Sequence, residues 1–241
     1  MRQTDHTAIV LRYANYRDND RMLTLFSPTR GRIEALARGC RRPRSSLLAA
    51  SELFALGEYE VYERGSHLTV ISASLTETFY PLRRDFDRLA VGTYLLGLCE
   101  AAVQSGEPDQ ELFMLLLHTL SRLTFTEQEW KPLLAGFLLH FAACEGFKPR
   151  LEHCVRCGER LSGQGSLYFD AVEGGLCCHG CHAPGQTPVA QAQAAWMREM
   201  LTRGSASWIN TPERYAPYTL LRSYVESRLD RPVKSGAMLP E

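Results

Sequence analysis

The chain has 241 residues, 45% of them hydrophobic and 22% charged, and its 27 basic side chains balance 27 acidic ones. That size admits one large domain or two to three small ones, and the composition excludes disordered and fibrous classes. No apolar run approaches the roughly 20 residues of a membrane span and "MRQTDHTAIVLRY" lacks a signal-peptide core, so a cytosolic protein with reduced thiols and no membrane contact is expected.

Up to about Tyr80 the chain reads as five short strands: "HTAIVLRYANY", "RMLTLFS", "GRIEALARG", "LFALGEYEVYE" and "LTVISASLTETF". Alternation and β-branched content support strands, and Pro28, Gly31 and Gly65 stand where hairpins should turn. Five strands in that length suit a small Greek-key barrel of the OB type, with an SH3-like barrel as the alternative. From Pro81 the period becomes helical. "PLRRDFDRLAVGTYLLGLCEAAVQ" is expected to start its helix at Pro81, with Leu82, Phe86, Leu89, Thr93, Leu96 and Glu100 near one face. "DQELFMLLLHTLSRL" and "EQEWKPLLAGFLLHFAACEG" are apolar nearly all round, as in a bundle core, and Gly146 fits a helix C-terminus. Two further helices each open on Thr-Pro, at Thr187-Pro188 and Thr211-Pro212. The tail "DRPVKSGAMLPE" reads as loose. The fold class is therefore α+β and multidomain.

Five of the eight cysteines fall between Cys154 and Cys181. Cys154-x2-Cys157, 20 residues, then Cys178-x2-Cys181 is the two-knuckle spacing of a structural zinc site, because a tetrahedral Zn²⁺ takes two corners from each tight turn. Gly158 and Gly180 give each turn a residue free to take positive φ. Cys177, His179 and His182 are competing ligands, and His153 is read as sitting beside the site. Four protein ligands leave no open position, so the metal reads as a staple. "SGQGS" between the pairs is a turn. No Gly-x-Gly-x-x-Gly, Walker, His-Glu-x-x-His or Gly-x-Ser-x-Gly motif is present. His118 and His140 read as core histidines and Cys40, Cys99 and Cys144 as small hydrophobes. No enzyme is expected.

Charge is uneven. Nine arginines lie between Arg12 and Arg44 against Asp18, Asp20 and Glu34, a local balance of 9 − 3 = +6. "LARGCRRPRSSL" puts Arg38, Arg41, Arg42 and Arg44 in a basic, mobile loop between strands, and guanidinium groups bind phosphate bidentately. With Tyr13, Tyr16, Phe26, Tyr59 and Tyr62 as stacking surfaces, this is chemistry for a single nucleic-acid strand; a solvated charge run over core aromatics is the competing reading.

In order, "AIVLRYANYRDNDRMLTLFSPTRGRIEALARGCRRPRSSL", "PLRRDFDRLAVGTYLLGL", "LFMLLLHTL", and "GFKPRLEHCVRCG" with "GGLCCHGC" resemble the bacterial RecO family of DNA repair and recombination mediators, through about Gln186. The resemblance implies an OB-fold at 1–80, a helical domain at 81–150 and 187–241, and a zinc-binding insertion at 151–186 on Cys154, Cys157, Cys178 and Cys181. It implies binding of single- and double-stranded DNA, here through Arg12, Arg17, Arg38, Arg41, Arg42 and Arg44, annealing of complementary strands, and work with RecR, RecF, RecA and single-stranded-DNA-binding protein. That last protein's acidic tail is expected on Arg83, Arg84 and Phe86. The family's "AKGxRR" loop stands here as "ARGCRR", with Arg38 in place of the usual lysine. Since some members lack the cysteines, the resemblance supports a structural metal. The alternative function is a zinc-containing protein-interaction adaptor.

Overall fold

The computed structural model describes residues 2–161, 165–203, 215–229 and 232–240. The chain divides into two compact units, Met1–Thr124 with Val233–Glu241, and Phe125–Pro232. Among the described residues no helix is long and apolar enough to cross a membrane.

The first unit is built on five strands, β1 (Arg2–Tyr16), β2 (Asp20–Ser27), β3 (Gly31–Ala37), β4 (Leu56–Arg64) and β5 (His67–Glu77), closed in the order β1-β2-β3-β5-β4. That closed five-stranded barrel is the OB-fold. β1 is long enough to pair twice, with β4 from Arg2 to Ile9 and with β2 from Ile9 onward. A register shift between Val10 and Arg12 bends it between the two partners, as a bulge does at a barrel corner. The only parallel ladder, Ala35–Ala37 of β3 against Leu68–Val70 of β5, closes the ring among the described strands. Strict alternation in β3 sends Ile33, Ala35 and Ala37 inward to Val10, Leu23, Leu25 and Val61. Gly31 and Gly65 carry positive φ at the hairpin turns. At Gly31 a Cβ would also strike the carbonyl oxygens of Gln104 and Glu107, so only glycine fits there.

Between β3 and β4 the chain runs through a 3-10 turn, Ala49–Ser51, pinned from inside the barrel. The Tyr59 hydroxyl donates to Ala50 O at 2.9 Å, and Arg21 Nη1 donates to Ser51 O at 2.9 Å and pairs with Glu52 at 2.7 Å. After β5, Pro81 opens a 3-10 turn, Tyr80–Arg84, rather than the helix expected there. Helix α1 (Phe86–Ala102) starts one turn later because the Asp85 side chain accepts the Arg88 N–H at 3.1 Å. The helix buries Ala90, Val91, Tyr94, Leu95, Leu96, Leu98 and Cys99, so Leu96 of the expected face is core while Phe86, at the first position, is 67% exposed. Helix α2 (Gln110–Phe125) is capped by Asp109, which accepts the Leu112 N–H at 2.9 Å. Within the tail expected to be loose, the described residues Lys234–Met238 form a 3-10 turn against α1, in a slot where a Cβ on Gly97 would strike Ser235 and Val233.

The second unit packs α3 (Trp130–Cys144) against α4 (Gln191–Thr202) and α5 (Tyr218–Glu226). Beside them lies a small sheet, β6 (Leu167–Asp170), β7 (Gly175–Cys178) and β8 (Thr187–Val189), in the order β7-β6-β8. A run of ring contacts, Phe141 to Phe147 to Tyr224 to Phe169, joins helices to sheet, and the Tyr224 hydroxyl donates to Phe147 O at 2.7 Å. Gly146, with φ +80°, ends α3 as expected. Thr187-Pro188 does not cap α4. It forms β8, at the edge of the sheet where proline's missing N–H costs nothing, and α4 begins after Ala190, whose N–H the Gln193 side chain accepts at 3.1 Å. Thr211-Pro212 and part of "SGQGS" lie outside the described residues.

Candidate metal centre and nucleic-acid interface

In the second unit the two Cys-x2-Cys turns converge. One ligand atom from each of Cys154, Cys157, Cys178 and Cys181 lies within 4.8 Å of the other three. Sγ of Cys157 and Sγ of Cys178 are 3.8 Å apart, the edge of a tetrahedron whose Zn–S bonds are about 2.3 Å long. Gly158 turns the first knuckle at φ +75°, with its N–H on Cys154 O at 2.9 Å. The second knuckle does without positive φ at Gly180: His179–Cys181 is a 3-10 turn. Burial raises the Cys154 thiol, but backbone N–H groups of Cys157, Cys178 and Arg156 outweigh it and hold the group below the ordinary thiol range. One of them, the Cys178 N–H, reaches Sγ of Cys154 at 3.4 Å. The backbone at Cys154 thus favours thiolate, the form a soft metal takes, while hydrogen bonds from the Cys157 and Cys178 thiols push Cys181 up.

The alternative ligands lie outside that group of four, although Sγ of Cys177 comes within 3.9 Å of Sγ of Cys154. Cys177 and Cys178 are neighbours on β7 and point to opposite faces, so Cys177 is fully buried while Cys178 faces the knuckles. Burial pushes the Cys177 thiol up to about 11. The ring of His182 lies 3.9 Å from that of Tyr168, and His179 Nδ1 is 3.5 Å from the Tyr168 hydroxyl. His153 is exposed and pairs through its backbone with Arg160. The four cysteines are placed to hold a metal ion.

The second candidate surface is on the barrel. The segment after β3 is a chain of hydrogen-bonded turns docked on the β1–β2 turn, where a mobile loop was expected. Gly39 N–H donates to Asp20 Oδ1 at 2.7 Å, Arg41 N–H to Asn19 O at 3.0 Å, and Arg42 N–H to Gly39 O at 3.1 Å. Buried Cys40 and Leu47 anchor it, leaving Arg38, Arg41, Arg42 and Arg44 exposed. Arg17, also exposed, sits 5.3 Å over the ring of Tyr16. Arg12 differs: its Nε pairs with Glu100 at 3.1 Å, and Arg32 reaches the same carboxylate at 3.7 Å.

Beside this segment lies a groove of about 930 Å³, walled by Tyr16, Arg17, Arg38, Tyr62, Arg64 and His67. Its acidic members are already engaged, Asp20 by the Gly39 N–H and Glu34 by Arg32 at 2.6 Å. Arg64 ends β4 and His67 begins β5; "ERGSH" has no arginine cluster to mark them in the sequence, and only the barrel brings them here. Phe26 and Tyr59 are fully buried and so do not serve as stacking surfaces. Tyr16 and Tyr62 keep accessible surface, and Tyr13 lies 3.9 Å under the Arg21 guanidinium.

The third predicted set lies at the start of α1. Arg83 is held by Thr78 O and Leu53 O, at 3.3 and 3.0 Å, over the rings of Phe54 and Tyr80. Arg84 is exposed, and Phe86 and Tyr80 are 67% and 58% exposed.

Two family models match, "Recombination protein O N terminal" over residues 1–79 and "Recombination protein O C terminal" over residues 83–237. The chain belongs to the recombination protein O family. Its RecO relatives span most of its length. A "DNA repair protein RecO" of Desulfitobacterium hafniense is 31% identical, covering 96% of this chain and 87% of that one. Another RecO, of Anaeromyxobacter dehalogenans, is 37% identical over 86% of this chain and 82% of its own. A third, of Alkaliphilus metalliredigens, is 39% identical over 72% of this chain and 70% of its own. The barrel and the cysteine cluster each lie within one of the RecO matches.

Proposed function

We propose that this RecO-family chain is a non-enzymatic DNA-binding mediator of recombinational repair in the cytoplasm. It binds single- and double-stranded DNA, anneals complementary strands and, with RecR and RecF, helps RecA load onto strands coated by single-stranded-DNA-binding protein. The observation that carries this reading is the groove on the closed barrel, where exposed Arg17, Arg38 and Arg64 flank Tyr16 and Tyr62 and Arg41, Arg42 and Arg44 continue the positive surface. Phosphate is met by guanidinium and bases by tyrosine rings, neither of which reads sequence. Residues 1–80 act as the DNA-binding domain, 81–150 and 187–241 as the helical domain, and 151–186 as the zinc insertion. Cys154, Cys157, Cys178 and Cys181 hold one Zn²⁺, which supplies folding energy rather than chemistry. Arg84 and Phe86, with Tyr80, face outward and fit an acidic, aromatic-ended tail of the strand-coating protein, with Arg83 shaping the surface beneath. Those exposed rings are also what an adaptor reading would rest on.

Binding of a fluorescent single strand over a salt series separates the two. A mediator gives affinity indifferent to sequence and falling with salt, by about 0.7 in log K per log unit of salt for each phosphate contact. An adaptor gives little binding at any salt concentration, and that result would overturn the proposal.

A further inference from the structure

Behind the cysteine cluster sits one buried carboxylate that no metal would touch. Asp170, 4% exposed at the end of β6, uses Oδ1 to accept the N–H groups of Val172 and Glu173, both at 3.1 Å, and so closes the β6–β7 turn. Oδ2 looks the other way. It accepts Nε and Nη2 of Arg156 at 3.2 and 3.0 Å, and Nε2 of Gln186 at 2.6 Å. Arg156 lies between Cys154 and Cys157, inside the first knuckle. Gln186 follows the second knuckle and fastens it, since its Oε1 accepts the Ala183 N–H at 3.1 Å just beyond His182. The strand β7 that pairs with β6 delivers Cys178. A single carboxylate therefore links both ligand pairs and the hairpin that spaces them. Burial alone would raise the Asp170 carboxyl, but the Glu173 N–H, Arg156 and Gln186 together hold it below the ordinary range, so it stays charged.

We infer that Asp170, through Arg156 and Gln186, is the positioning residue that locks the two knuckles together and sets how slowly the cysteine cluster releases its metal. The inference rests on the zinc reading above. Metal leaves such a site by stepwise detachment of thiolates, and a knuckle tied to a fixed carboxylate returns its thiolate before the next one lets go. Groups that orient metal ligands from outside the coordination shell are worth about 10- to 100-fold in affinity. Asp170 is buried and its own replacement unbalances the hairpin, whereas the Arg156 side chain is 43% exposed and can be changed without opening the core.

The test uses the full chain loaded with one equivalent of Zn²⁺, challenged with EDTA and followed by pyridylazoresorcinol absorbance, beside Co²⁺-substituted samples. Arg156→Gln should release metal about 10-fold faster or more while keeping the tetrathiolate Co²⁺ spectrum, and Arg156→Lys, which keeps the charge, should fall between it and the parent. Arg203→Gln is the control, because its ion pair to Glu199 lies on α4 outside this network, and it should match the parent. Release from Arg156→Gln at the parent rate would overturn the inference and leave the zinc reading intact. A Co²⁺ spectrum altered in Arg156→Gln would overturn it too, since the ligand set would then depend on the network. A parent that takes up no metal would defeat the zinc reading first.

Discussion

His6 on β1 is a buried imidazole with a titration consequence. Burial is the main cause that lowers its pKa from 6.5, the Arg30 charge adds to it, and Asp5 and Glu58 pull only partly the other way. The neutral ring keeps a hydroxyl partner, Thr4 Oγ1 at 2.9 Å. Because the folded value is depressed, the unfolded chain binds the proton more tightly. The stability His6 contributes is present above about pH 6.5 and is lost as the pH falls through the lower folded value. Thermal melts of the parent should therefore lose more between about pH 7.5 and 5.5 than those of His6→Gln, which cannot titrate; parallel curves would count against a buried, neutral His6. Nothing in "TDHTAIV" announces this. At the same scale, alternation placed Phe26 and Tyr59 on strands but could not say which face turns inward, and both proved to be core. Which side of a strand is inside is decided by what packs across it.

Whole elements were more legible, because the signals that make them are local. The five strands are bounded by glycines that adopt positive φ at Gly31 and Gly65, and the cysteine pairs lie two residues apart in tight turns. Failures came where one dipeptide serves two purposes. Thr-Pro suits a helix start and equally an edge strand, and at Thr187 the free edge of β6 claimed it. Pro81 likewise opens a 3-10 turn, since Asp85 is the better cap for α1. Asp170 lay outside any sequence signal, for its partners Arg156 and Gln186 are brought to it only by the folded hairpin. The cysteine element carries its own prediction. Structural zinc contributes its binding energy to folding, so Cys178→Ser should drop the metal content from about one ion per chain toward zero and lower the melting temperature of the second unit. Cys177→Ser should keep the metal, because that thiol, although 3.9 Å from Sγ of Cys154, is buried, is held protonated by burial and lies outside the four-sulfur group. Elemental analysis of both variants decides between them, and the reverse pattern would transfer the fourth ligand to Cys177.

At the scale of the whole molecule, a balanced net charge hides an uneven field. The nine arginines of the first barrel segment divide by structure into two that hold the fold, Arg21 on Ser51 and Glu52 and Arg32 on Glu34, one paired with Glu100, Arg12, the half-buried Arg30, and an exposed set of Arg17, Arg38, Arg41, Arg42 and Arg44. On the proposed reading the exposed set alone meets DNA phosphate. Arg41→Ala with Arg42→Ala removes two side chains whose loop is held largely by backbone hydrogen bonds and by buried Cys40 and Leu47, so the barrel should remain folded. Each lost phosphate contact takes about 0.7 from the slope of log K against log salt, so the pair should flatten it by roughly 1.4 units if both touch phosphate. Binding should weaken alike for all sequences, and strand annealing should slow, since two repelling backbones must be screened at once. Arg12→Ala should change the slope little by comparison, because Glu100 already neutralises that side chain. Fluorescence anisotropy across a salt series, with annealing followed in parallel, gives both numbers. A double variant that binds and anneals like the parent at every salt concentration would make the exposed loop a solvated face and place any DNA contact elsewhere on the chain.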